Sequence, residues 1–235
     1  MWYLLIVNLD PAIYKKHPKE EVEKAIELLT YKNISPMVKE ESQAEPTIYV
    51  FRHGQSTDNE AFIFSGWRDV HLTELGKQQA QVLAEKLKTK KLDMLISSDQ
   101  IRTIETMQIA VALNDYAKNR EIYKDKRIRE RSYGDLQGTS KLEMFFTNPE
   151  LLHEYRRSYT KKATNGESLE DTVKRVESFC AEITPLMKIH KLNVAVSCHS
   201  NSMRALRKYF EHLTIEQTCA EEDPLGQDYC SYIVK

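Results

Sequence analysis

Three short apolar runs, Thr47 to Phe51, Leu92 to Ile96 and Asn193 to Cys198, are separated by segments with helical spacing, and that alternation constrains the fold of this chain more than any other feature. Each run is too short for a helix and rich in β-branched or apolar residues, so each predicts a strand. Between them, Glu74 to Lys88 repeats apolar residues on one face (Ala80, Leu83, Ala84, Leu87), and a second helix is expected over about Ile101 to Leu113. A longer helix should open at Ser168-Leu169-Glu170-Asp171, which reads as a capping box, and carry Leu169, Val173, Val176, Cys180, Ile183 and Met187 on one side, with Pro185 bending its last turns. Strands alternating with helices need crossover connections. The expected fold is therefore α/β: three layers, with a mostly parallel central sheet and helices on both faces.

The chain has 235 residues, enough for one generous domain with an appendage. Residues 1–46 read as that appendage: a strand over Trp2 to Val7, a helix beginning near Pro18 with Val22, Ala25, Ile26 and Leu29 on one side, and a polar link from Lys39 to Pro46. Residues 47–235 form the expected catalytic domain. The opening apolar run lacks a basic flank and is too short for a signal peptide core or a membrane span. With 34 Lys and Arg against 35 Asp and Glu, the net charge of −1 offers no field for nucleic acid or an anionic membrane. Cys180, Cys198, Cys219 and Cys230 show no CxxC pair and no regular spacing, so neither a structural zinc site nor a disulfide framework is suggested, and reduced thiols in a cytoplasmic setting are expected. A homo-oligomer stays open.

In open α/β sheets a ligand lies beyond the carboxyl ends of the strands. Arg52-His53-Gly54-Gln55-Ser56 follows the first run, Ser97-Ser98 with Arg102 follows the second, and His199-Ser200-Asn201 follows the third. Arginine forks and a helix N-terminus are suited to a phosphate or carboxylate, because they aim several charged or polarised donors at one anion. Between such cations an imidazolium is disfavoured, so His53 should be neutral and able to attack phosphorus, with His199 donating to the oxygens that gain charge. A leaving alkoxide needs a proton. Glu130 is the favoured acid if its pKa is raised, and Asp58 is the weaker candidate.

Taken in order, Arg52 to Ser56 with Asn59, Phe64-Ser65-Gly66-Trp67, Leu72 to Gly76, Ser98 to Arg102, Glu130 to Gly138, Tyr155 to Ser158, Gly166 to Leu169 and His199 with Asn201 to Arg204 resemble the signature segments of the histidine phosphatase superfamily. Within it they are most similar to the phosphoglycerate mutases that depend on 2,3-bisphosphoglycerate. The resemblance covers about residues 47 to 210. It implies phosphorylation of His53, a second histidine in His199, an acid/base in Glu130, and phosphate contacts from Arg52, Asn59 and Arg102. Gly54, Gln55, Ser56, Ser65, Gly66, Arg131, Ser200 and Asn201 complete the implied substrate contacts. Tyr133, Lys141, Arg156 and Arg157 match the positions that recognise a substrate carboxylate. The implied reaction interconverts 3- and 2-phosphoglycerate, primed by 2,3-bisphosphoglycerate and without a metal.

The chain departs from the pattern in Ser200, where glycine is usual, in a short stretch between Arg157 and Gly166, and in ending soon after its last apolar run. A small lid should admit water and allow some phosphatase leakage. Two enzymatic alternatives remain at this level: a histidine phosphomonoesterase for another small ester, and a cysteine phosphatase, since Cys198 to Arg204 spells C-x5-R. The latter loop has no glycine to wrap tightly around phosphate. A non-catalytic phospholigand-binding protein is the reading from a different class. Five of the 7 glycines, Gly54, Gly66, Gly134, Gly138 and Gly166, fall in the proposed phosphate-site loops.

Overall fold

The computed structural model describes residues 9–30 and 34–235; the expected strand over Trp2 to Val7 lies outside them. Strands β1 (Thr47–Arg52), β2 (Met94–Ser97), β3 (Ile122–Lys124), β4 (Val194–Cys198) and β5 (Cys230–Ile233) form one sheet in the order β3-β2-β4-β1-β5. The first four run parallel, with Val50 opposite Val196 and Ser97 opposite Ser197, and β5 closes the edge antiparallel to β1. The sheet is thus mostly parallel, as expected. Neither β3, only three residues with two of them exposed, nor the reversed direction of β5 was legible as such in the apolar pattern.

The period of two along β1 divides its side chains between two helical layers. Ile48 and Val50 pack with Val194 and Val196 against α8 (Leu169–His190) and α9 (Ser200–Glu211). Tyr49 and Phe51 face the other way, onto Leu83 and Leu87 of α4 (Glu74–Leu87) and Met107, Ala110 and Val111 of α5 (Ile101–Val111). All six residues expected on one side of α8 are buried. Ser168 caps it, accepting from the Asp171 N–H while the Asp171 carboxylate accepts from the Ser168 N–H. The helix runs through Pro185 and ends at Lys191 in the left-handed conformation, so proline here does not terminate it.

A third, smaller core lies beside this sandwich. The short helix α1 (Ala12–Lys16) and α2 (Lys19–Leu29) bury Ile13, Val22, Ala25 and Leu29 against Phe62, Phe64, Leu142 of α6 (Lys141–Thr147) and Leu152 of α7 (Pro149–Arg157). Downstream, the link is fastened to the outer side of β5: Ser231 N–H donates to Val38 O at 2.9 Å, Glu40 N–H to Ser231 O at 3.0 Å, and Arg207 to Pro36 O at 3.0 Å.

Candidate active site

The three sequence-predicted loops meet because β2, β4 and β1 are adjacent and parallel, which brings their carboxyl ends to one edge. His53, just past β1, is anchored by its N–H to Cys198 O at 3.0 Å. Its turn tolerates no side chain at Gly54. A Cβ there would press into the carbonyl of Gly76 in the first turn of α4, and Gly226 packs on the opposite side, where its own Cβ would lie 2.8 Å from Gly54 Cα. Gly226 also sits at φ +54°, a left-handed conformation that costs any other residue strain.

His53 is buried, and its Nδ1 lies 2.6 Å from Gly54 O. A carbonyl only accepts, so Nδ1 carries the proton and Nε2 presents a lone pair, to which Arg102 Nε donates at 3.3 Å. Burial, reinforced by the charges of Arg102 and Arg52, holds the imidazole pKa well below its usual value, so the ring is neutral at neutral pH. Arg102 is itself fixed by the backbone, donating to Arg68 O at 2.8 Å and Gly66 O at 2.9 Å. Burial lowers it to about 10, which leaves it cationic at neutral pH.

The His199 ring stands edge-on to that of His53, with centroids 5.1 Å apart. Burial and the neighbouring cations likewise depress its pKa. Its Nε2 is 2.8 Å from Ser98 Oγ, while Nδ1 is buried with no hydrogen-bond partner among the described residues. Ser98 therefore orients the His199 ring, although the sequence placed it only by segment. Its signal was its position directly after β2.

Glu130 joins this group through Oε1, which accepts from Arg131 N–H (2.8 Å), Asn201 N–H (3.1 Å) and Asn201 Nδ2 (2.8 Å). Burial alone would raise the carboxyl. The hydrogen bonds and the charges of Arg102 and Arg52 outweigh it, so the pKa lies below the ordinary glutamate value. The expected raised pKa is therefore absent from the protein by itself, and Glu130 is a carboxylate at neutral pH. Asp58 does not reach the cavity; it receives Arg68 Nε at 3.1 Å.

Arg52, His53, Gln55, Asn59, Ser65, Gly66, Arg102, Glu130, Tyr133, Lys141, Arg156, Ser200 and Asn201 all line one cavity of about 130 Å³. His199 lies behind this lining rather than in it, and four other residues expected to contact substrate do not line the cavity either. Gly54 and Ser56 shape the loop instead, Gly54 N–H donating to Thr106 Oγ1 at 3.1 Å and Ser56, the cap of the one-turn helix α3 (Thr57–Glu60), accepting Asn59 N–H on Oγ at 3.3 Å. Arg131 donates to Tyr133 Oη at 3.0 Å and to Tyr155 O, and Arg157 is drawn away by Glu222 and Cys219 O. Leu29, Thr30, Phe62 and Leu225 line the cavity without having been singled out for it, and so does Arg204, named only within a signature segment and as the arginine of C-x5-R. Leu29 was legible only as one more apolar position on a helix. Gln100 ties the walls together, donating to Gly66 O at 3.0 Å and accepting from Glu130 N–H at 3.1 Å.

Cys198 is fully buried in the core of the sheet and does not line the cavity, and burial pushes its thiol pKa up, so C-x5-R here does not present a thiolate to the cavity. Among the described residues no group of three or more His, Cys, Asp or Glu could hold a metal, and no helix is long and apolar enough to cross a membrane. What the edge does assemble on one cavity wall is a neutral imidazole, two arginines and a carboxylate, a set able to hold an anion and to attack it.

The chain belongs to the histidine phosphatase superfamily (branch 1), whose pattern matches residues 48–233. Among its relatives is the 2,3-bisphosphoglycerate-dependent phosphoglycerate mutase of Cytophaga hutchinsonii, 37% identical over 173 residues, or 73% of this chain and 80% of that one. The phosphoglycerate mutase of Schizosaccharomyces pombe is 37% identical over 192 residues, 79% of this chain and 89% of the other. Solved structures of the same fold include a mycobacterial glucosyl-3-phosphoglycerate phosphatase (TM-score 0.70, 24% identity, covering 79% of this chain and 92% of that one). Another is the alpha-ribazole phosphatase of Shigella flexneri (TM-score 0.67, 19% identity, 80% and 95%).

Proposed function

We propose that the protein interconverts 3-phosphoglycerate and 2-phosphoglycerate through a phosphohistidine on His53, a reaction of glycolysis and gluconeogenesis. The observation that carries this reading is that one small cavity combines Arg52, His53 and Arg102 with a further set of donors, Lys141, Arg156, Arg204 and Tyr133. A phosphate alone needs only the first set; a phosphate and a carboxylate on the same small molecule need both.

The bound phosphoglycerate would turn its free hydroxyl to phospho-His53. The hydroxyl oxygen attacks phosphorus, the P–N bond to Nε2 breaks, and the hydroxyl proton passes to the Glu130 carboxylate, which its lowered pKa keeps ready to accept it. In the return step His53 takes the other phosphoryl group and Glu130 gives the proton back to the departing oxygen. Arg52, Arg102 and His199 would stabilise the equatorial oxygens as charge spreads over them. 2,3-Bisphosphoglycerate, whose phosphates suit the two sets of donors that line the cavity, would supply the first phosphoryl group. A cytoplasmic setting fits this reaction and the four free cysteines.

Incubation with 3-phosphoglycerate, with and without 2,3-bisphosphoglycerate, tests the reading. Expected are primer-dependent formation of 2-phosphoglycerate and one phosphate on His53 by mass spectrometry; phosphate release without isomerisation would overturn it. One feature favours a phosphomonoesterase as the second reading: few residues separate the end of α7 from Gly166, and a short lid leaves phospho-His53 accessible to water.

A further inference from the structure

We propose that the N-terminal helix pair is the substrate-size wall of this site, with Leu29 and Thr30 at the end of α2 setting how large a group the bound ester can carry. The inference rests on the reading of the cavity as a site for a small phosphate ester. Residues 9–30 lie outside the stretch matched by the superfamily, which begins at residue 48, so this part of the wall is not part of the matched pattern.

Leu29 and Thr30 line the same cavity as His53 and Arg102. They are held there firmly. The apolar side of α2 is buried on Phe62, Phe64, Leu142 and Leu152, Lys16 pairs with Glu143 at 2.8 Å, and the His17 ring stacks on Phe146 with centroids 3.9 Å apart. A helix ends in carbonyls with no helical partner, and they carry partial negative charge. Here that end would repel an anionic substrate, but Leu29 O accepts a hydrogen bond from Arg156 Nη2 at 3.2 Å. Arg156 thereby screens the helix end and is oriented on the cavity wall, while the Leu29 side chain takes up space beside it. An acid phosphate with a small carbon chain fits such a site; a bulky substituent on that chain meets α2.

Isothermal titration of the full-length protein with 3-phosphoglycerate and with its 2-O-benzyl derivative, which adds bulk without altering the charges, reads this directly. In the wild type the benzyl ether should bind much more weakly. Leu29→Ala should narrow the gap by about tenfold, the scale of a few methylenes in an apolar pocket. Thr30→Tyr, at the half-buried rim, should weaken 3-phosphoglycerate itself by a similar factor. Val22→Ala loosens the same helix away from the cavity, so it should lower the melting temperature and leave the affinity ratio alone.

An unchanged ratio in Leu29→Ala together with undiminished binding in Thr30→Tyr would overturn the proposal. If only one of the two variants folds, its result decides. A shift in Val22→Ala as large as that in Leu29→Ala would overturn it too, by making the effect one of general loosening. Because binding is read without turnover, 3-phosphoglycerate that binds but is not isomerised sinks only the mutase reading. Failure of the wild type to bind either ester sinks both.

Discussion

A carbonyl oxygen cannot donate a proton, and from that one constraint the chemistry of His53 follows: the contact to Gly54 O fixes which ring nitrogen is protonated, and burial beside two arginines keeps the other unprotonated. The sequence displayed the residue types and their positions after strands, but not this tautomer, which depends on a backbone angle. Nor did it show that Glu130 is ionised, because the N–H groups that stabilise its charge include that of Asn201, far off in the chain. Glu130→Gln should lower turnover of alkyl phosphates by about 10²–10⁴-fold, and should affect 4-nitrophenyl phosphate far less, since that leaving group departs without a proton; steady-state rates on the two esters check this. The two histidines also set a pH dependence. Both are held neutral in the folded protein with pKa values well below the usual 6.5, whereas the unfolded chain takes up protons near that value. The unfolded state therefore binds more protons as pH falls through 6.5, and stability must fall with it. Melting temperatures measured from about pH 7 to pH 5 should drop, and the drop should be shallower in a His53→Gln, His199→Gln variant.

Helices with a clean apolar stripe were legible almost to the residue: the expected Glu74 to Lys88 is observed as Glu74–Leu87, and the helix after Ser168 has its cap where the capping box puts it. Such a stripe encodes both length and buried face. The strands were legible as apolar runs because a parallel sheet covered on both sides needs no alternation, and for the same reason their ends slipped, Leu92 to Ile96 becoming Met94–Ser97. β3 escaped because an edge strand with exposed side chains has no apolar run to betray it. The contact between the phosphate loop and the first turn of α4 was invisible too, as two glycines distant in sequence say nothing of touching. It is testable all the same. A Cβ at Gly76 would overlap the carbonyl of Gln55, so Gly76→Ala should cost about 1–3 kcal/mol of stability, read by chemical denaturation, and weaken turnover by shifting the loop that carries His53.

On the scale of the whole molecule, segments from both ends of the chain converge on the cavity: Leu29 and Thr30 from one, Leu225 from the other. They are also tied to each other, Ser35 N–H donating to Glu222 O at 2.9 Å and Val38 pairing with Ser231. The sequence showed an appendage and a final apolar run, but such long-range pairings leave no local pattern. Gly226→Ala should slow phosphorylation of His53, followed by acid-labile phosphate, because its added carbon would press on Gly54. The strand order has one more consequence. β1 emerges early in synthesis, yet both its neighbours, β4 and β5, come from the far end of the chain. The strand that carries His53 has to wait, unpaired on one side until residues 194–198 and on the other until residues 230–233 have left the ribosome, so His53 should stay unreactive toward a phosphoryl donor in nascent chains that stop short of β4.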